Sequence, residues 1–176
     1  MSRFPSHTVE DAPGASRPLL QKIAESSPTG RHLNVHAQMA QSPAVLAAYA
    51  SLRAVTAEHG TLGPRVSWAL NLAVAATVGN DYMIGIASRF AAMNGWSEAQ
   101  VAALRTGTGT GDTRVDALTR VVREAAASSG NVTDVTWQTA QQIGWSDTQL
   151  AEAFAYLGLT VFTGYFLNYA QTNLDI

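Results

Sequence analysis

Residues Arg65 to Ser97, RVSWALNLAVAATVGNDYMIGIASRFAAMNGWS, are laid out as a helix, a glycine break and a second helix. That arrangement activates a nucleophile at a helix N-terminus, where unpaired backbone N–H groups and the macrodipole favour an anion and hold a thiol as thiolate. Leu70, Ala73, Val74 and Thr77 recur at helical spacing on one apolar face. Gly79 then ends the helix, and Asn80 and Asp81 can cap and charge the next one. The side chains at that N-terminus are Asn80 and Met83, so the frame carries no thiol. The chain contains no Cys at all, which removes every thiol mechanism from it, because a peroxidase cycle needs one thiolate to attack and a second thiol to resolve.

Other chemistries are thinly represented. Asp81 at a helix N-terminus has its charged form favoured, which makes a poor base and a good capping charge. The histidines are His7, His32, His36 and His59; His32 and His36 are a helical turn apart with no acidic residue among them, so no metal site is expected. Acyl transfer lacks a G-x-S-x-G elbow. The loop Thr106 to Asp112, TGTGTGD, lacks the Gly-Lys-Ser/Thr of a P-loop and follows a helix where a strand is required, so it reads as a flexible connection to an N-cap at Asp112. Asn131-Val132-Thr133 reads as the cap of a following helix.

LNLAVAATVGNDY, AAMNGWSEAQVAALRTG, the upstream QMAQSPAVLAAYASL and the C-terminal FTGYFLNYAQTNLDI together resemble the carboxymuconolactone decarboxylase and alkylhydroperoxidase D-like superfamily over roughly residues 30 to 176. The usual pattern there is a Glu, a Gly-preceded Cys-x-x-Cys and a following His. Laid on this chain, the Glu falls on Trp68, the two Cys on Asn80 and Met83, and the His on Ala87, so all four reactive positions have changed. In the C-terminal segment Gly164 and Tyr169 stand where the family commonly has Asn or His. The resemblance implies an all-α bundle of about eight helices assembled as a trimer or hexamer. It also implies that His36, whose helix runs into the segment packed beside the family's active site, and Asp81, Tyr82, Arg89, Tyr165, Asn168 and Tyr169 could converge on one pocket. His36, Asp81, Tyr82 and Tyr169 are then the candidate acid–base groups, and Trp68, Asn80, Met83, Ala87, Tyr165 and Asn168 the candidate pocket lining. Exchange of Glu, Cys and His for an aromatic ring, a thioether and a methyl group leaves three readings open: filled core, an apolar ligand pocket, or a remodelled catalytic centre.

Composition narrows the partners. The net charge of −2, the pI near 6.0 and the single lysine, Lys22, argue against nucleic acid and anionic membrane, since such binding draws on clustered Lys and Arg. No uninterrupted apolar run long enough to span a bilayer and no hydrophobic signal core are evident, so a cytoplasmic location is expected. Hydrophobic residues make up 47% and charged residues 14% of the chain, which suits closely packed helices with surface left for contacts between copies. No cofactor is expected. The function classes that follow are a divergent decarboxylase-like enzyme acting on a small organic acid or lactone by acid–base chemistry, and a non-catalytic oligomeric protein binding a small apolar or organic-acid ligand.

Residues 1–15 read as a flexible tail or a strap over a neighbouring subunit, followed by one helical domain over 16–176. Turn signals place helices after Ser16 and over Leu33–Ala40, Pro43–His59, Pro64–Val78, Asp81–Asn94, Asp112–Ser128, Thr133–Ile143 and Ser146 to about Ala170. Gly95-Trp96-Ser97-Glu98-Ala99-Gln100 is echoed by Gly144-Trp145-Ser146-Asp147-Thr148-Gln149, each a C-cap glycine, a packing Trp and a Ser/Gln capping box. The echo predicts two similarly built helical hairpins.

Overall fold

A computed structural model describes residues 2–27 and 30–175. Met1 of the expected tail, and Pro28, Thr29 and Ile176 of the expected helical domain, lie outside the described residues. All regular structure described is helical: α1 Arg17–Glu25, α2 Asn34–Met39, α3 Pro43–His59, α4 Pro64–Val78, α5 Asp81–Met93, α6 Glu98–Thr106, α7 Thr113–Ala127, α8 Asp134–Gln142 and α9 Asp147–Ala170. The expected all-α architecture is what forms. The ninth helix is α6, whose cap is legible in the sequence but whose extent the eight expected spans leave out. The chain divides into two compact units, Met1–Glu58 with Tyr165–Ile176, and His59–Gly164.

In the His59–Gly164 unit α4 is the central helix. Ser67 and every residue from Ala69 to Ala75 are buried, the polar Ser67 and Asn71 included, so burial wraps this helix beyond the one apolar face that the spacing predicts. Leu70, Ala73 and Val74 face a core built with Leu118, Val121 and Val122 of α7 and Leu150, Ala153 and Leu157 of α9. Ala69 and Leu72 face a second core with Ala87 and Ala91 of α5 and Leu104 of α6. Small residues at these positions let the helices approach closely. α9 is the one described helix long and apolar enough to cross a membrane by length and composition; its Leu150, Ala153 and Leu157 are core residues here.

The internal echo is deeper than its six residues. Arg65, near the start of α4, donates to Gly95 O at 2.5 Å, lays its guanidinium 3.6 Å over the Trp96 ring and accepts the Trp96 indole N–H on its own carbonyl at 2.8 Å. Arg114, near the start of α7, repeats every element with Gly144 and Trp145, at 3.4, 4.5 and 2.7 Å. The sequence separations, 30 to the glycine and 31 to the Trp, are the same in both copies. Both glycines hold left-handed φ, +88° and +104°, which a side-chain-bearing residue rarely adopts. The two capping boxes close as expected, Gln100 N donating to Ser97 Oγ and Gln149 N to Ser146 Oγ at 3.3 Å each. The unit is therefore a repeated three-helix motif, α4–α6 and α7–α9, and each copy is locked by an Arg–Trp clamp.

Glu152 of α9 fixes the loop before α4, accepting from Thr61 N, Thr61 Oγ1 and Leu62 N at 2.6–2.9 Å. Burial pushes this carboxyl up, but those donors together outweigh it and hold it below its ordinary value.

In the other unit the chain ends are tied to helix termini. Arg3 donates from its backbone N to Ala170 O at 2.8 Å and from its guanidinium to Tyr169 O at 2.9 Å, placing a cation on the carbonyl end of α9. Asp175 accepts the Asn34 N–H at 2.8 Å, a carboxylate at the start of α2. Phe4 packs 6.1 Å from Phe166 and 5.9 Å from Tyr169, ring centre to ring centre.

Candidate functional site

The helix break at Gly79 forms as the sequence dictates. Gly79 takes φ +69° and donates to Ala75 O, closing α4, and Asn80 adopts the extended backbone of an N-cap for α5. Its Oδ1 accepts Met83 N–H at 2.8 Å and its Nδ2 donates to Gly164 O at 3.3 Å. Both polar atoms of the side chain are thus committed, and Asn80 is only 4% exposed. Gly164 belongs to this contact: a Cβ there would meet Asn80 Cβ at 3.6 Å. Asn80→Ala is expected to cost about 1–2 kcal/mol through loss of the cap, and Asn80→Asp to recover only part of it, because the carboxylate keeps the bond from Met83 N but sets a buried acceptor against Gly164 O; urea unfolding of both variants checks this.

Around the cap, Met83 and Tyr82 are buried and Ala87 is fully so. Trp68 is half-buried and stacks on Phe90 with ring centres 4.5 Å apart and planes 11° from parallel. Asp81 is exposed in the first turn of α5. Trp68, Asn80, Asp81, Tyr82, Met83 and Ala87 all belong to the His59–Gly164 unit.

The other candidates, His36, Tyr165, Asn168 and Tyr169, belong to the second unit. Tyr165 and Tyr169 lie on the exposed side of α9 at 59% and 65% exposure, and Asn168 is exposed between them. His36 is buried. Its Nδ1 accepts the Leu33 N–H at 3.2 Å, the back-bond of a capping box at the start of α2, and its Nε2 lies 3.1 Å from Tyr49 Oη. An acceptor at Nδ1 places the ring proton on Nε2, which donates to the tyrosine. Burial above all, with the positive fields of Arg53 and His32 added, lowers its pKa to about 3. At neutral pH this histidine is an uncharged, doubly bonded packing group.

Sequence reasoning passed over one feature of the His59–Gly164 unit. A cavity of about 300 Å³ opens beside the Gly-rich loop, with Arg120 and Arg123 in its wall. The loop was legible as a connection to the Asp112 cap, and Asp112 does accept Val115 N–H at 3.1 Å. The available signal was two arginines one helical turn apart on α7, the helix that the loop enters.

These features sit on the alkylhydroperoxidase D-type helical fold. The chain is similar in structure to the alkylhydroperoxidase AhpD core of an uncharacterized peroxidase-related protein from Ralstonia eutropha JMP134, with TM-score 0.85, 15% identity and coverage of 99% of this chain and 92% of that one. An uncharacterized peroxidase-related protein from Silicibacter sp. TM1040 gives TM-score 0.80, 12% identity and coverage of 99% and 95%. The debrominase Bmp8 gives 0.82, 14%, 99% and 93%, and a cysteine-to-alanine variant of Bmp8 in complex with 2,3,4-tribromopyrrole matches equally well. No protein-family model matches the sequence. No curated protein matches it either.

Proposed function

We propose that this chain is a thiol-free, small-molecule-binding protein of the alkylhydroperoxidase D fold that works as a homo-oligomer, a trimer or hexamer. The observation that carries this reading is Asn80. At the position the resemblance assigns to a redox cysteine, an amide caps α5 and ties it to Gly164, so the helix N-terminus that would activate a thiolate is spent on structure. Acid–base turnover of a small organic acid or lactone is the weaker reading. Its one candidate that titrates near neutrality in water is His36, and that ring is buried, neutral and bonded at both nitrogens.

A small-molecule complex on this fold supports the reading, since a Bmp8 variant with one cysteine replaced by alanine was captured with 2,3,4-tribromopyrrole. Half-buried Trp68, stacked on Phe90 and packed beside the core of Ala69, Leu72 and Ala87, is the aromatic surface that this reading assigns to such a ligand. Exposed Met93, Val135 and Phe154, at 66–75% exposure, are surface that a second copy would cover.

Native mass spectrometry of freshly purified protein tests the reading. An oligomer carrying a small-molecule adduct, lost in Trp68→Ala, is expected. An 18.6 kDa monomer without adduct would overturn it. Alkyl hydroperoxide consumption in metal-free buffer with a dithiol reductant is expected to match the buffer blank, and protein-dependent turnover would equally defeat the reading.

A further inference from the structure

The cavity of the His59–Gly164 unit lies between the end of α6, the loop from Gly107 to Asp112 and the facing sides of α7 and α8. Leu104, Ala117 and Ile143 give it an apolar floor. The three loop glycines, Gly107, Gly109 and Gly111, all hold left-handed φ, +77°, +90° and +85°, which side-chain-bearing residues rarely adopt.

Arg120 stands in the wall between two acids at helical spacing, Asp116 before it and Glu124 after it. Either would ordinarily pair with it. Asp116 instead turns to the loop, its oxygens taking the Thr110 N–H at 2.9 and 3.0 Å and the Thr110 hydroxyl at 2.8 Å. Glu124 turns to the start of α8, accepting Thr133 N–H at 2.8 Å and a Thr136 hydroxyl. Among the described residues the one acid–base contact within 4 Å is His7–Asp11, so neither acid closes a direct pair with Arg120; Glu124 feels its charge only through space, and the Arg120 guanidinium donates to no described residue.

Arg123, one turn further along, gives N–H groups to Leu104 O and to Thr77 Oγ1. Both are neutral acceptors. This guanidinium is half-buried without a carboxylate partner, and desolvation lowers its pKa. Two arginines with unused donors therefore border a cavity whose size is at the lower end of the roughly 300–1,000 Å³ of small-molecule sites.

We infer that this cavity binds a small organic acid, its carboxylate held by Arg120 and its apolar body resting on Leu104, Ala117 and Ile143. A planar guanidinium fork with free N–H groups matches a carboxylate bidentately. A monoanion fits better than a phosphate dianion, because Asp116 and Glu124 flank the same arginine and resist a second negative charge. The site is independent of Asn80 and of the Trp68 face, so its failure would leave the preceding proposal standing.

Amide NMR and calorimetry on the full chain at low ionic strength, with benzoate, neutral benzamide and inorganic phosphate as probes, test the inference. Benzoate is expected to saturate, moving the signals of residues 107–113 and Arg120, with benzamide and phosphate weaker by about tenfold or more. Arg120→Gln, at an exposed position, is expected to keep the melting temperature and weaken benzoate by about tenfold or more. Benzamide or phosphate binding as tightly as benzoate, Arg120→Gln binding benzoate like the wild type, or no saturable benzoate shift up to about 10 mM would each overturn it.

Discussion

Lowering the pH from 7 to 4 is expected to remove stability on the order of a few kcal/mol through His36 alone. The folded ring resists a proton until about pH 3, whereas its ordinary value is 6.5. Between those values the unfolded chain binds the proton and the folded chain does not. The contribution is therefore complete above pH 6.5 and drains away as the pH falls towards 3. Burial dominates the effect, because protonation would place an uncompensated charge beside Tyr49 and break the Leu33 N–H bond to Nδ1. Depressed carboxylates such as Glu152 act in a separate window below their ordinary 4.5. Denaturant unfolding of wild type and His36→Gln across this pH range isolates the histidine. Glutamine is a natural capping-box side chain and can still accept from Leu33 N. The variant should be less stable at pH 7, where Tyr49 loses its partner, and its stability should fall less steeply between pH 6.5 and 4.5. An identical slope in both proteins would assign the acid sensitivity to another group.

Trp96→Ala and Trp145→Ala are each expected to destabilise the His59–Gly164 unit by about 3–5 kcal/mol. The rings are 2% and 5% exposed, each donates an indole N–H to a backbone carbonyl, and each lies under a guanidinium. Truncation removes the packed volume, the hydrogen bond and the cation–π contact together. The closer stack in the first clamp, 3.6 Å against 4.5 Å, makes Trp96 the costlier loss. Trp137→Ala serves as the comparison, since that ring is 36% exposed and outside either clamp, and it should cost well under half as much. Urea unfolding curves with matched slopes check all three. A cost below about 1.5 kcal/mol at both buried positions, the level of a surface truncation with one lost hydrogen bond, would show that the clamps do not hold the motif together.

What the sequence determined by itself is the local architecture. Pro43–His59 and Pro64–Val78 form with the expected limits, and Gly79, Asn80, Ser97, Asp112 and Thr133 terminate or cap as their types require. These interactions close within three or four residues, so the information needed is adjacent in the chain. The absence of thiol chemistry is legible for the same reason: it depends only on residue types. The tertiary structure alone decided the rest. The Gly-Trp-Ser echo was visible, but the arginines that complete it stand 31 residues from their tryptophans, beyond any local pattern. Asp116 is by spacing a partner for Arg120, and packing of the Gly-rich loop gave its carboxylate to Thr110 instead. His36 carried the types of an acid–base group, and burial beside Tyr49 made it a neutral hydrogen-bonded ring. Whether a polar side chain pairs, titrates or is left with donors to spare depends on which distant surfaces exclude water from it, and only the folded chain brings those surfaces together.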